Sequence, residues 1–153
     1  MKNLNEDIRL FFQDQGFAIV STIDRDGLPH NSCKGIVNMT KTGLIYLMDV
    51  YWGRTYSNLL ENPAISITAV DERRFIGYCL KGKAKIVKAG KLKPRIIKAW
   101  EKKLASRITQ RLIKNIQGDK AHPWHPEALL PKPAYLILMQ VRQIVDLTPQ
   151  SIK

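Results

Sequence analysis

Six short apolar runs separated by turn signals limit this chain to a small set of folds. They are rich in β-branched and aromatic residues, and turns such as Asp24-Arg25-Asp26-Gly27 and Lys41-Thr42-Gly43 join the first three into an antiparallel meander. Six short antiparallel strands predict a mainly β barrel or sandwich with helices covering its ends. The runs are FAIVSTI (17–23), HNSCKGIVNM (30–39), LIYLM (44–48), AISITAV (64–70), IGYCLKGKAKIV (76–87) and AYLILMQVRQIVDL (134–147).

Three segments between and before these runs have helical spacing. Residues 4–15 carry apolar side chains at helical spacing with charged residues between them, which predicts a short amphipathic helix (Leu4, Ile8, Phe11 and Phe12). Residues 54–61 are predicted to form a second helix that stops before a proline. Residues 92–117 form a third helix. Its apolar residues recur every four positions, so the stripe turns around the helix. We therefore expect one kinked helix, or two short helices that divide near Ala105-Ser106.

Two further segments are predicted to be irregular. Gly77 and Gly82 lie inside the fifth run, which indicates a β-bulge or a close approach of another backbone. Residues 121–133 contain four prolines and are predicted to be a loop.

Composition indicates an ordinary globular protein. The 153 residues are 44% hydrophobic and 25% charged, so we predict a single domain over residues 1–153. No apolar run approaches the roughly 18–20 residues needed to span a bilayer, and the acidic N-terminus is unlike a secretory signal. We therefore expect a cytoplasmic protein, in which Cys33 and Cys79 are buried and reduced and not bridged.

Basic residues are concentrated in one segment. Residues 81–120 hold 14 of the 25 lysines and arginines but only Glu101 and Asp119 as acids, so they account for the whole net charge of +12. Within this segment we place a basic helical insertion at about residues 90–118. It is interpreted as a solvated helix face, or as a surface that attracts an anionic substrate. Nucleic-acid binding is disfavoured because few aromatic residues interleave with the cations, and membrane binding because the apolar side must pack on the barrel.

The segment DVYWGRTYSNLLENP (49–63) has the residues of a phosphate site. Gly53 permits a close backbone approach, Arg54 offers a bidentate cation, and Thr55 adds a hydroxyl in the first turn of a helix. Ser32 and Lys34 share one face of the neighbouring strand. The residue types alone leave a second interpretation open, in which Arg54 and Thr55 only begin a helix and Lys34 is solvated.

The order of these segments resembles the pyridoxamine 5′-phosphate oxidase-like, FMN-binding split-barrel family. The matching features are a D-x-D-G turn followed by P-H, the arginine corner, a helix that holds Asn58-Leu59 and ends at Asn62-Pro63, and a K-G-K strand. They extend over roughly residues 5–88 and the last strand. The resemblance implies a six-stranded antiparallel split β-barrel with flanking helices, which dimerises and binds two FMN molecules at the subunit interface.

The resemblance also implies a set of cofactor-binding residues. Arg54 and Thr55 would hold the phosphate, and the residues of strand two would face the ribityl-phosphate or the ring edge. Residues 49–52 would border the isoalloxazine, where Trp52 either stacks on the ring or plugs the barrel end. The lysines of strand five would reach the flavin or an anionic substrate from the partner subunit. The full set is Ser32, Cys33, Lys34, Asp49, Tyr51, Trp52, Arg54, Thr55, Lys81 and Lys83.

Three departures from the family pattern predict that the chain is not a true pyridoxamine phosphate oxidase. Thr55 replaces a second cation after the corner arginine, the glutamine expected near the start of strand five is absent, and no arginine-rich C-terminal segment precedes the ending VDLTPQSIK. We expect an FMN-dependent oxidoreductase acting on a small, anionic molecule. The alternatives are a non-catalytic flavin- or haem-binding module and a basic nucleic-acid-binding protein, and a deazaflavin is not distinguished from FMN.

The histidines do not form a convincing metal site. His122 and His125 lie in HPWHP, where prolines hold the backbone extended and Glu127 is the only further ligand nearby. His30, after Pro29, is expected to start a strand near the site. We predict no bound metal and assign no catalytic acid or base, because a flavin carries its own chemistry.

Overall fold

The computed structural model describes residues 2–49, 51–118 and 135–152, which contain six strands and three helices. Short 3₁₀ turns lie at Ala89–Lys91 and Gln150–Ile152. In chain order the main elements are α1 (Glu6–Asp14), β1 (Ala18–Ile23), β2 (Pro29–Met39), β3 (Leu44–Asp49), α2 (Arg54–Glu61), β4 (Ala64–Asp71), β5 (Ile76–Lys88), α3 (Pro94–Ile116) and β6 (Tyr135–Asp146).

The six strands close into a barrel in the order β1-β2-β3-β6-β5-β4, and every neighbouring pair is antiparallel. The predicted meander of β1, β2 and β3 is confirmed, and the open choice between a barrel and a sandwich is settled as a barrel. Closure pairs the strand edges that would otherwise be exposed. The interior is filled by apolar side chains such as Val20, Leu47, Ile67, Leu80 and Ile137, all fully buried.

Helix α1 adds an apolar face to this core. Its N-cap residue Asn5 accepts a hydrogen bond from the backbone N–H of Ile8 at 2.9 Å, which satisfies one free donor of the first turn. Ile8, Phe11 and Phe12 are buried in the same cluster as the barrel interior. The predicted amphipathic helix at the N-terminus is therefore confirmed.

Helix α3 packs on the outside of the barrel and is continuous through Ala105 and Ser106, so of the two alternatives a single helix is confirmed and two short helices are wrong. Neither alanine nor serine breaks a helix, so the helix stays continuous while its apolar stripe turns away from the barrel. Ile96, Trp100 and Leu104 are buried against the outer faces of β2, β3 and β6, whereas Leu112 and Ile116 further along are exposed. Apolar residues four apart drift by about 40° per step, so the stripe leaves the sheet after the half-buried Ile108.

The predicted irregularity in β5 occurs at Gly82. The β5–β6 register pairs Lys81 with Gln143 but Gly82 with Val141, which leaves one extra residue in β6 and makes a bulge. A Cβ atom at Gly82 would lie 2.0 Å from the carbonyl oxygen of Gln140, so the backbones also approach closely there. Both features that the glycine predicted are present.

Further observations concern the thiols, the helices and the ionisable side chains. Cys33 and Cys79 are free thiols, but their expected burial is wrong, because Cys33 is exposed and Cys79 is only half-buried. Among the described residues, no helix is both long and apolar enough to cross a membrane, and no group of three or more His, Cys, Asp or Glu side chains could hold a metal ion. The predicted loop at 121–133, with His122 and His125, lies outside the described residues.

Candidate functional site

The corner between β3 and α2 presents backbone donors and an exposed cation. Gly53 is the N-cap of α2, and it provides no side-chain oxygen to accept a hydrogen bond from the first-turn N–H groups. Arg54 is the first helical residue and is exposed, whereas Thr55 behind it is buried. The start of α2 therefore combines free N–H donors, the positive end of the helix dipole and one guanidinium.

Strand β2 brings two polar side chains to this corner from the barrel wall. Ser32 and Lys34 pair with Val20 and Ala18 of β1, both of which are buried in the barrel interior, so all four lie on the inner face. The hydroxyl oxygens of Ser32 and Thr55 are 2.9 Å apart. Strand β2 is thus joined to the first turn of α2 by a direct hydrogen bond.

Lys34 forms an ion pair with Asp49 at the end of β3. The distance from Lys34 Nζ to Asp49 Oδ1 is 2.7 Å, and the side chains are 12% and 2% exposed. Because both partners are withdrawn from water, each needs the other to compensate its charge. The positive charge of Lys34 is therefore balanced within the barrel end, and Arg54 is left as the exposed cation of the corner.

Asp49 is also the acceptor for Tyr135, the first residue of β6. The Tyr135 hydroxyl lies 2.7 Å from Asp49 Oδ2 and 2.8 Å from the carbonyl oxygen of Tyr51, and can donate to either. Burial, and then the hydrogen bond to Asp49, raise the pKa of Tyr135 well above its ordinary value of 10.0. The hydroxyl therefore stays protonated and holds the chain after β3 against the barrel.

Three aromatic rings lie beside these polar groups. The ring centroid of Trp52 is 4.6 Å from that of Tyr56 and 4.7 Å from that of Tyr135, and the last two are 5.0 Å apart. Trp52 is nonetheless 57% exposed. The indole thus packs over the barrel end on one side and is exposed on the other, and its stacking on a flavin stays a prediction.

Three of the residues named from the resemblance lie apart from this corner. Cys33 is exposed and pairs with Ile19, which places it on the outer face of β2, opposite to its neighbours. Lys81 and Lys83 are exposed on β5, which neighbours β4 and β6 in the barrel and lies across it from β2. The structure therefore brings together Ser32, Lys34, Asp49, Tyr51, Trp52, Arg54 and Thr55 but not the other three.

Two contacts at the site were not anticipated from the sequence. Tyr135 begins an apolar strand whose pattern predicts burial but not a partner 86 residues away. Asn58 of α2 donates to Thr22 of β1 at 3.0 Å, which ties the helix to the barrel. A buried asparagine inside an amphipathic helix was the only available signal for that contact, since buried polar groups require partners.

Comparisons with known proteins agree with this architecture. The sequence model of the family described as pyridoxamine 5′-phosphate oxidase matches residues 4–126. The comparison with curated proteins found no match.

Similar solved structures include HupZ of Group A Streptococcus, with a TM-score of 0.64 and 20% identity over 95% of each chain. An F420 reductase has a TM-score of 0.57 and 13% identity over 93% of this chain and 98% of its own. HutZ, the heme storage protein from Vibrio cholerae, has a TM-score of 0.54 and 17% identity over 94% of each chain. At these identities the likeness establishes a shared fold.

Proposed function

The chain belongs to the pyridoxamine 5′-phosphate oxidase family, and from that membership and the geometry of the corner we propose that it is an FMN-binding flavoprotein. Its proposed activity is an FMN-dependent oxidation or reduction of a small, anionic molecule. The proteins of similar fold include one named as a reductase of the flavin-like F420 and one named for heme storage, so the fold accommodates more than one cofactor.

The start of α2 is the observation that carries the proposal. A phosphate group there would meet the free N–H donors after Gly53 and the exposed guanidinium of Arg54. The buried hydroxyl of Thr55 is held by Ser32 and gives the first turn a fixed position. The residues present therefore fit a phosphomonoester, which is the charged group of FMN.

The remaining corner residues would position the flavin ring and would not neutralise the charge of its phosphate. The Lys34–Asp49 pair and the Tyr135 hydroxyl fix the backbone at Tyr51, directly before Trp52. The exposed part of the Trp52 indole is suited to contact a flat ring system. A bound flavin would supply the electron transfer, and these side chains would orient it and limit the access of water.

Cys33, Lys81 and Lys83 take part in this proposal only through a second subunit. All three are exposed, Cys33 on the face of β2 opposite to Ser32 and Lys34, and the two lysines on β5. In a homodimer with shared sites, the two lysines would meet the flavin or an anionic substrate bound to the partner. The replacement of a second cation by Thr55 still argues against pyridoxamine phosphate itself as the substrate.

The experiment that tests the proposal compares FMN and riboflavin binding in the native protein, Arg54→Ala and the control Arg73→Ala. Arg73 is exposed in the β4–β5 turn, at the opposite end of strand β4 from α2. Loss of a charge-assisted contact to phosphate should weaken FMN binding by about 10- to 100-fold in Arg54→Ala only. Riboflavin, which lacks the phosphate, should bind Arg54→Ala as it binds the native protein.

An absorbance spectrum of the purified protein separates the alternatives before any titration. The paired visible bands of a flavin support the proposal, and a single intense Soret band would replace it with the haem-binding alternative. If the native protein takes up no FMN, or if both arginine variants lose the same affinity, the corner is not a phosphate site.

A further inference from the structure

A second cleft lies on the outer face of the barrel, beside the first turn of α3. Its volume is about 630 Å³, within the range of small-molecule sites. It shares no lining residue with the corner at α2, and the inference drawn from it does not depend on flavin binding. The residues that line it are Tyr46, Lys85, Ile86, Val87, Lys88, Lys91, Leu92, Lys93, Ile96 and Leu138.

The floor of this cleft is apolar because three neighbouring strands, β3, β6 and β5, contribute directly paired residues to it. Leu138 of β6 pairs with Tyr46 of β3 on one side and with Lys85 of β5 on the other. Leu92 and Ile96 of the α3 region complete the wall, with Ile96 fully buried and Leu92 half-buried. A ligand in the cleft would therefore cover aliphatic and aromatic carbon.

The rim of the cleft is positively charged, and the described residues supply no compensating acid. Lys85, Lys88, Lys91 and Lys93 are all exposed, and none of the described lining residues is acidic. In the described part of the chain, none of these four lysines forms an ion pair. Lys93 is also the N-cap of α3 and makes no side-chain cap, so the positive end of a 23-residue helix dipole adds to the field.

We propose that this cleft binds an amphipathic anion, a small molecule with an apolar body and one carboxylate or phosphate head. The lysines of the rim would bind the charged head of such a molecule, and its apolar body would displace water from the apolar floor, which is favourable. Nucleic acid is a poorer fit, because Tyr46 is the only aromatic lining residue among those described and is 9% exposed, which leaves no ring for base stacking.

The test is isothermal titration of the native protein with decanoate and with 1-naphthoate, two acids whose apolar bodies are a chain and a fused ring. We expect saturable binding of at least one acid at one molecule per chain, and weaker binding of the uncharged 1-decanol. The double variant Lys88→Glu/Lys91→Glu should weaken binding of that acid by about tenfold or more, because two cations at the head group become anions.

The control variant Lys41→Glu/Lys98→Glu has the same change of net charge. Both of its lysines are exposed and neither lines the cleft. It should bind the acid as the native protein does, as should Arg54→Ala, which keeps this test separate from that of the flavin site. The proposal is overturned if neither acid binds saturably, if the control loses as much affinity as Lys88→Glu/Lys91→Glu, or if 1-decanol binds as tightly as decanoate.

Discussion

At the scale of single residues, the barrel end depends on a small group of buried polar side chains that satisfy one another. Asp49 accepts from Lys34 and from Tyr135, and Tyr135 also reaches the backbone of Tyr51. Removal of one member leaves another buried without its partner, which costs more than the same change on a surface. The group therefore acts as one unit that fixes the chain between β3 and α2.

The raised pKa of Tyr135 predicts a specific dependence of stability on pH. Unfolded chains release a tyrosine proton near pH 10.0, whereas the folded protein retains it. The stabilisation is therefore complete below that pH and is lost as the pH rises toward the folded pKa. Between pH 10 and 11 the free energy of unfolding of the native protein should fall by about 1 kcal/mol more than that of Tyr135→Phe.

Urea unfolding across this pH range measures the effect, and the lysine titrations common to both proteins cancel in the comparison. Tyr51→Phe, which removes an exposed hydroxyl, is the matched control and should keep the native pH profile. Parallel profiles for the native protein and Tyr135→Phe would show that the buried hydroxyl is not linked to folding.

At the scale of elements, local backbone geometry explains why β5 can pair with β6 from Tyr78 to Lys88. The bulge at Gly82 absorbs one extra residue of β6, and the register then continues to the pair of Lys88 with Tyr135. That last pair places Tyr135 beside Asp49 of β3. The glycine and the site are thus connected through the register of one strand.

Gly82→Ala is expected to destabilise the barrel. The added Cβ atom would meet the Gln140 carbonyl oxygen at 2.0 Å, and a backbone atom cannot move aside cheaply. We expect a loss of about 1–3 kcal/mol in the free energy of unfolding, measured by urea titration. Gly90→Ala, where no described neighbour lies within 4 Å, should change stability by no more than about 0.5 kcal/mol. Equal effects of the two substitutions would contradict the role of the bulge.

At the scale of the whole molecule, helices cover some faces of the barrel and leave another bare. Helix α3 covers the outer faces of β2, β3 and β6, whereas Ile19 of β1 and Val70 of β4 remain 44% and 57% exposed. Adjacent to them, Phe17 and Phe75 are also exposed. An apolar sheet face of this kind is typical of a surface that associates with another protein.

A homodimer formed through this face is our prediction for the assembly. Ile19→Arg would bury an unpaired charge at the contact and should shift the native dimer to monomer in sedimentation equilibrium. Ile116→Arg, at the exposed end of α3, should leave the assembly unchanged. If the flavin site is shared between subunits, Ile19→Arg should also weaken FMN binding. A native protein that is monomeric at all concentrations would contradict the prediction.

The hydrophobic pattern of the sequence was sufficient to predict the six strands and the two short helices, but it left a barrel and a sandwich open, and only the family resemblance implied the barrel. These features follow from alternation, helical spacing and turn residues, which act between near neighbours. The corner at Gly53, Arg54 and Thr55 was also visible, because a helix start after a strand is a local feature.

The continuity of α3, the partners of the site and the outer cleft depended on tertiary structure. The turning apolar stripe would require a break only if the barrel offered an apolar surface along the whole helix. The C-terminal part of α3 instead extends past the sheet, with its apolar residues exposed. The contacts of Lys34 with Asp49 and of Asp49 with Tyr135 join separate strands, and only the barrel register brings them within hydrogen-bonding distance. Local sequence thus determined which elements form, and closure of the barrel determined which side chains meet, because those contacts join residues far apart in the chain.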